Sequence, residues 1–295
     1  MRRAAVLGHP VSHSLSPALH RAAYAALGLD WSYEAIDVDE PDLAAFLDSC
    51  GDEWAGLSLT MPLKIEAARL ADFVEPQAKL VGTVNTLIPA GKGEYRHWVG
   101  ANTDIHGIVA AFAEAGLASA GLTSAGLTSA GFAGTVEAVV VGGGATATSA
   151  VAALASMGAT SPSVLLRDKA RAGALLRAAT RMGVRLRFLD IASDEALVAL
   201  SRADAAMSTV PAAAGELLAA RLEASGTRVH GTLLDAVYMP ISTPLSGAWV
   251  AAGGVSVSGV RMLLHQAGEQ VRLMTGYVAP VEVMESALAR VSTTS

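Results

Sequence analysis

Between Ala138 and Leu166 the chain carries no charged residue. A run of that length could cross a membrane. However, Gly142, Gly143 and Gly144 interrupt it, serines and threonines recur after them, and Pro162 breaks it again. A strand, a tight turn and a helix account for it better. "VVVGGGATA" places Gly142-x-Gly144-x-x-Ala147 directly after a nearly continuous apolar strand and at the opening of a helix. Strands of that kind are covered on both faces, as in parallel sheets. There the first glycine permits the turn and the second lets backbone approach a pyrophosphate. The helix N-terminus adds unpaired N–H groups and a favourable dipole. The pattern reads as a dinucleotide site in a βαβ unit, with Gly142, Gly143, Gly144, Ala145 and Thr146 as its backbone cradle.

The surrounding pattern agrees. The strands "SVLL", "VRLRFL", "ADAAMST" and "HGTLLDAV" alternate with helices over 145–157, 169–182 and 193–200, which implies a doubly wound parallel sheet. The first half also alternates. "RAAVLG", "WSYEAIDV", "GLSL", "VGTVNTLI" and "EYRHWVG" read as strands, and "PDLAAFLDSC" and "KIEAARLADF" as helices. A helix over 17–27 should have Ser16 as N-cap and Pro17 in its first turn. Another should run from Asp104 to about Ala115, and two more should follow Gly259. No charge appears from Ala115 to Val136, where "SAGLT" repeats directly. The repeat is too short for a solenoid and reads as a flexible surface insertion over 117–134. The expected domains are 1–103 joined by the C-terminal helices 260–295, and 104–259.

Composition narrows the functional classes. The net charge is -6, without the basic footprint of a nucleic-acid binder. Hydrophobic residues make up 52% of the 295 and charged residues 16%, ample material for a buried core. A single cysteine, Cys50, excludes a disulfide framework and a cysteine-based zinc site, and suits a reducing compartment. No metal site is expected. The opening "MRRAAVLGHP" has too short an apolar run for a signal peptide. A soluble cytoplasmic protein without a membrane partner, monomeric or homodimeric, is expected.

The residue that ends the second strand of a dinucleotide unit selects the cofactor. An acidic side chain suits a ribose hydroxyl, and arginine accommodates a 2′-phosphate. Here Arg167, Asp168 and Lys169 are adjacent. Arg167 and Lys169 could both face a phosphate, which favours NADP over NAD. Asp168 either competes for the ribose or caps the next helix.

Seven ordered segments carry a resemblance. "GHPVSHSLSPALH", "GLSLTMPLK", "KLVGTVNTL", "GANTDIHG", "VVGGGATA", "LLDAVYMPISTPL" and "SGVRMLLHQAGEQVRLMTG" resemble, in order, the signatures of the shikimate dehydrogenase family. The likeness runs from Gly8 to Gly276. It implies an N-terminal substrate-binding α/β domain and a C-terminal NADP-binding Rossmann domain. The implied reaction is reduction of 3-dehydroshikimate to shikimate with NADPH, in the shikimate pathway of aromatic amino acid biosynthesis.

By the same resemblance, Ser14 and Ser16 hold the substrate carboxylate. Thr60, Asn85 and Gln266 bind ring hydroxyls, and Tyr238 lies near the substrate. Thr209 and Gly259 approach the cofactor. Lys64 and Asp104 are the implied catalytic pair, since ketone reduction needs a positioned proton source. His13 and His20 are expected to be structural. Three departures stand out. Ser58 replaces the usual asparagine and is expected to leave room in the pocket. Ala147 and Thr148 stand where an arginine often follows the glycine loop, which removes one phosphate contact. Leu166-Arg167-Asp168 replaces the usual Asn-Arg-Thr. A quinate/shikimate paralogue with NAD use, or a non-catalytic NADP-binding sensor, are the alternative readings.

Overall fold

The computed structural model describes residues 1–117, 122–123, 126–127 and 136–292. The chain divides into two compact units. One is Met1–Thr103 with Leu263–Ser295, and the other is Asp104–Met262.

The first unit is built on a mixed sheet. Its strands are β1 (Arg2–Gly8), β2 (Trp31–Asp37), β3 (Trp54–Leu59), β4 (Phe73–Val74), β5 (Thr86–Ala90) and β6 (His97–Ala101). They lie in the order β2-β1-β3-β5-β6-β4, with β5 antiparallel to both neighbours. All six residues of β3 are buried, as an interior strand covered on both faces requires. The helices are α1 (Ser16–Ala26), α2 (Leu43–Ser49), α3 (Lys64–Leu70) and α4 (Pro76–Val81). Leu7, Leu43, Leu57, Leu63 and Trp54 are among the buried side chains that pack into its core. Full burial of such a side chain stabilises by about 1.5–3 kcal/mol.

Two local expectations need correcting. Ser16 is not the N-cap of α1. Leu15 holds the cap position in helical geometry, and Ser14 Oγ accepts from the Ser16 N–H at 3.3 Å. The segment "VGTVNTLI" does not begin as a strand, since β5 starts only at Thr86. Its start completes α4, which ends at Gly82 in the left-handed region (φ 74°). Six residues are too few to display a helical period, so the sequence gives α4 no clear signature.

The second unit begins with α5 (Asp104–Glu114). The expected insertion at 117–134 lies outside the described residues, apart from a two-residue antiparallel ladder between β7 (Leu122–Thr123) and β8 (Gly126–Leu127). Six parallel strands follow: β9 (Ala138–Val141), β10 (Ser163–Leu166), β11 (Arg187–Asp190), β12 (Ala205–Ser208), β13 (Thr232–Asp235) and β14 (Val255–Ser258). Their order is β11-β10-β9-β12-β13-β14. Counted within the sheet this is 3-2-1-4-5-6, the doubly wound order of dinucleotide-binding domains. The helices are α6 (Ala145–Ser156), α7 (Gly173–Met182), α8 (Asp194–Arg202), α9 (Ala212–Ser225) and α10 (Pro244–Ala251). The sequence pattern showed neither α9, whose alanine-rich run has weak apolar periodicity, nor α10 and β14. The chain closes with α11 (Gly259–Thr275), which begins in the second unit and continues in the first, and α12 (Val281–Ser292), which packs on α1.

Trp249 on α10 is fully buried in the second core, and its indole N–H donates to the Gly231 carbonyl at 2.9 Å. Gly231 precedes β13, so this bond ties α10 to the start of that strand. Trp249→Phe removes this bond while the carbonyl keeps the Val255 N–H at 3.0 Å, and should cost about 0.5–1.5 kcal/mol. The check is the shift of the denaturation midpoint at unchanged slope.

Candidate functional site

The glycine loop lies where the strand order reverses, at the end of β9 between β10 and β12. Doubly wound sheets bind ligands at this place. Gly142 has φ +112°, and a Cβ there would run into Thr209 Oγ1. Thr209 in turn donates from both its backbone and its hydroxyl to the Val141 carbonyl, each at 2.9 Å. It therefore holds the turn from behind, and it does not line the cavity. At Gly144 a Cβ would meet nothing within 4 Å, so this side of the loop is open. α6 begins at Ala145 without an acidic residue in its first turn or a capping side chain, which leaves its N–H groups for an anion. A cavity of about 610 Å3 is lined by Gly142, Gly143, Gly144, Leu166, Arg167 and Asp168, with Val210, Pro211 and Ala214 among the other residues around it. These features fit a dinucleotide.

The same region bears on two of the departures. Ala147 and Thr148 are buried, and Thr148 Oγ1 bonds back to the Gly144 carbonyl at 3.2 Å. Both side chains are engaged with protein. Asp168 Oδ1 accepts from the Ala170 N–H at 2.9 Å and caps a short 3-10 turn, Lys169–Ala172. Arg167 is exposed and lines the cavity, whereas Lys169 lies just beyond the lining. Gly259 is constrained by protein, since a Cβ would come within 2.6 Å of the Asp235 and Ala236 carbonyls.

In the first unit a buried polar cluster gathers two of the expected substrate residues. Asn85 Nδ2 donates to Thr103 Oγ1 at 2.9 Å and to Gln266 Oε1 at 3.2 Å. Its Oδ1 accepts from the Thr103 N–H and the Thr86 hydroxyl, both at 2.8 Å. Asn85 stands just before β5, Thr103 just after β6, and Gln266 on α11, so three chain segments converge. Gln270, one helical turn beyond Gln266, donates to the Asn85 carbonyl at 3.1 Å and to Thr86 Oγ1 at 3.0 Å. Sequence reasoning missed Gln270, although its i+4 spacing from Gln266 was a usable signal. Ser58 is also in the cluster. Its hydroxyl accepts from Tyr33 at 2.7 Å and donates to Gln270 Oε1 at 2.9 Å. Ser58 is therefore buried and engaged with Tyr33 and Gln270.

His20 is fully buried and stacks on Tyr33 with centroids 4.0 Å apart. Burial pushes its titration down to about 3, against an opposing hydrogen bond to Gln270. Burial likewise raises the Tyr33 phenol well above its ordinary range, opposed by contacts with Ser58 and Ser16.

The remaining candidates fall as follows. Ser14 and Ser16 sit at the start of α1, joined by the bond already described. Thr60 ends the β3 segment, its N–H donating to the Leu7 carbonyl at 2.9 Å. A cis peptide joins Met61 to Pro62, and Lys64 then opens α3, partly exposed, at the helix end where the dipole disfavours a cation. Asp104 is the buried first residue of α5, in the second unit. Tyr238 also belongs to that unit, in the loop after β13, and burial raises its phenol above the ordinary value. Among the described residues no group of His, Cys, Asp or Glu could hold a metal ion, and no helix is long and apolar enough to cross a membrane.

The strand order, the glycine turn and the cavity define a dinucleotide-binding protein of the doubly wound type with a second α/β unit. The chain is 34% identical to the shikimate dehydrogenase (NADP(+)) of Methanosarcina mazei, over 95% of each chain. It belongs to the shikimate dehydrogenase family. A profile described as the shikimate dehydrogenase substrate binding domain fits residues 6–87, and one described as the shikimate 5'-dehydrogenase C-terminal domain fits residues 259–289. Among solved structures, shikimate dehydrogenase of Mycobacterium tuberculosis superposes with TM-score 0.82 at 39% identity, covering 98% of this chain and 100% of that one. The Thermus thermophilus enzyme in complex with NADP(H) and shikimate gives 0.76 at 30% identity, covering 98% and 99%. The chain also aligns at 32% identity with pentafunctional AROM polypeptide 2 of Lodderomyces elongisporus, where 96% of it spans only 18% of that polypeptide.

Two glycine substitutions separate turn geometry from ligand space. Gly142→Ala meets both a positive φ and Thr209, and should cost about 1–3 kcal/mol of stability, read as a lowered denaturation midpoint. Gly144→Ala meets no protein atom, and should weaken NADP binding in a titration while the midpoint stays within about 0.5 kcal/mol.

The loop that leads to Ser14 carries a pH-dependent tie. His9 Nδ1 lies 2.6 Å from Asp37 Oδ1, and Asp37 Oδ2 accepts from the Val11 N–H at 3.4 Å. The bond to Asp37 raises His9, and the same bond lowers Asp37. The pair's contribution is complete below the ordinary histidine value and is lost as pH rises through the raised one. It is lost again as pH falls through the lowered Asp37 value. Both groups are exposed, so the effect should be small. His9→Gln should lose a little stability at about pH 5.5 and none by about pH 9, as measured by paired melting curves.

Proposed function

We propose that this chain is an NADP-dependent shikimate dehydrogenase that interconverts 3-dehydroshikimate and shikimate, as a cytoplasmic monomer or homodimer. The observation that carries the reading is the Asn85–Thr103–Gln266 cluster in the same chain as a glycine-loop cavity. Short neutral polar side chains suit a ring with several hydroxyls, since each can donate and accept. The neighbouring serines at α1 suit a carboxylate. NADPH, when bound in the cavity, supplies the hydride. Gly142, Gly143, Gly144 and the first N–H groups of α6 would hold its phosphates, and Arg167 would meet the 2′-phosphate. Asp168 is engaged as a cap, which favours NADP over NAD.

Ketone reduction also requires a proton at the carbonyl oxygen. Lys64 is assigned that proton transfer and Asp104 the positioning carboxylate. Thr60 is assigned a ring hydroxyl and Tyr238 a place beside the substrate. Lys64→Ala should lower kcat by about 10²–10⁴-fold, with the NADP Kd unchanged in a fluorescence titration. Unchanged turnover would remove Lys64 from the mechanism. Side-by-side rates with shikimate and quinate, each with NADP and NAD, test the assignment as a whole. Faster turnover of quinate with NAD would reverse it, and NADP binding without any turnover would point to a sensor.

A further inference from the structure

We propose that Tyr33, Ser58 and Gln270 form a buried relay that holds the Asn85 segment, through its backbone carbonyl and the Thr86 hydroxyl, in the polarity the Thr103 N–H sets, so that Ser58 is a positioning residue and not a substrate contact. The inference rests on the reading of Asn85 as a substrate-binding group.

The direction of each hydrogen follows from groups that have no choice. The Thr103 backbone N–H can only donate, and it lies 2.8 Å from Asn85 Oδ1. This fixes the oxygen end of the amide. The single Thr86 hydroxyl hydrogen also goes to Oδ1 at 2.8 Å. Thr86 Oγ1 must therefore accept, and the Gln270 amide nitrogen donates to it at 3.0 Å and to the Asn85 carbonyl at 3.1 Å. Gln270 Oε1 then points the other way, where the Ser58 hydroxyl donates at 2.9 Å. With its hydrogen spent, Ser58 can only accept, and the Tyr33 hydroxyl donates to it at 2.7 Å. His20 is neutral at working pH and its Nε2 lies 3.3 Å from Gln270 Oε1, so a proton on Nε2 makes it a second donor there. One consistent set of directions from Tyr33 to Asn85 satisfies all of these bonds.

The result is an Asn85 amide that presents N–H toward Gln266. The reversed amide would set two carbonyl oxygens, Asn85 Oδ1 and Gln266 Oε1, against each other. A hydroxyl that replaces the Asn85–Gln266 bond can accept from the first and donate to the second. Ser58 and Tyr33 are buried, at 4% and 0% exposure.

The test uses the full-length enzyme. Ser58→Ala and Tyr33→Phe should each raise the KM for shikimate about tenfold, the scale of one lost hydrogen bond, with kcat changed less than about threefold and the NADP Kd unchanged. Because the two act in series, Ser58→Ala/Tyr33→Phe should show little more than the effect of Ser58→Ala alone, where independent sites would multiply. Melting temperatures confirm that each variant is folded. Folded variants with wild-type KM, or a double variant whose effects multiply, would overturn the relay while leaving the function reading intact. A wild-type protein inactive on shikimate would overturn that reading first, and this inference with it.

Discussion

A backbone N–H has no alternative to donating, and the one on Thr103 orients the first unit's polar interior. It fixes Asn85 Oδ1 at 2.8 Å. From there the amides of Gln266 and Gln270 and the hydroxyls of Thr86, Ser58 and Tyr33 fall into order. Buried polar groups are costly when unpaired, so a cluster of this size is tolerated only if its members satisfy one another. The apolar framework makes that possible. β3 is buried along its whole length, Gly56 lets α11 approach it (a Cβ there would lie 2.6 Å from Met274 Cγ), and α11 delivers Gln266 and Gln270 one turn apart.

The second unit is organised by backbone geometry instead of side-chain amides. Gly142 turns with a φ that other residues rarely adopt, and Thr209 locks the turn by two bonds to Val141. The buried valines of β9 place that turn at the centre of a parallel sheet, where strand order reverses. Arg261 extends the same rigidity to α5, since its guanidinium makes two 2.7 Å bonds to Glu114 and so ties the start of α11 to the end of the helix that Asp104 opens. Hydride-transfer enzymes need a cofactor site that holds its shape and a substrate site with defined polarity. Here side-chain amides set the polarity of the first unit's interior, and backbone geometry sets the shape of the second unit's loop.

These differences explain what the sequence could reveal. The glycine loop, β9 and the strand–helix alternation were legible because parallel-sheet burial and a positive φ leave direct marks on residue choice. The short α4, the alanine-rich α9 and the strand β14 were not, because brevity or weak periodicity hides them. In the site, Asn85 and Gln266 stood out through motifs, and their contact is a product of the fold. Gln270, Tyr33 and Thr86 were invisible as partners because hydrogen bonds across 25 to 212 positions of chain have no local pattern.

Ser58 shows why a motif departure is read together with its neighbours. A shorter side chain at a substrate-lining position suggests a larger pocket, and hence a larger or more hydroxylated substrate. That inference assumes fixed neighbours. Tyr33 brings its own hydroxyl to 2.7 Å from Ser58. Interiors pack at nearly constant density, so a lost volume is more cheaply filled by an adjacent aromatic than left open. Ser58 is thus engaged with protein partners on both sides, Tyr33 and Gln270.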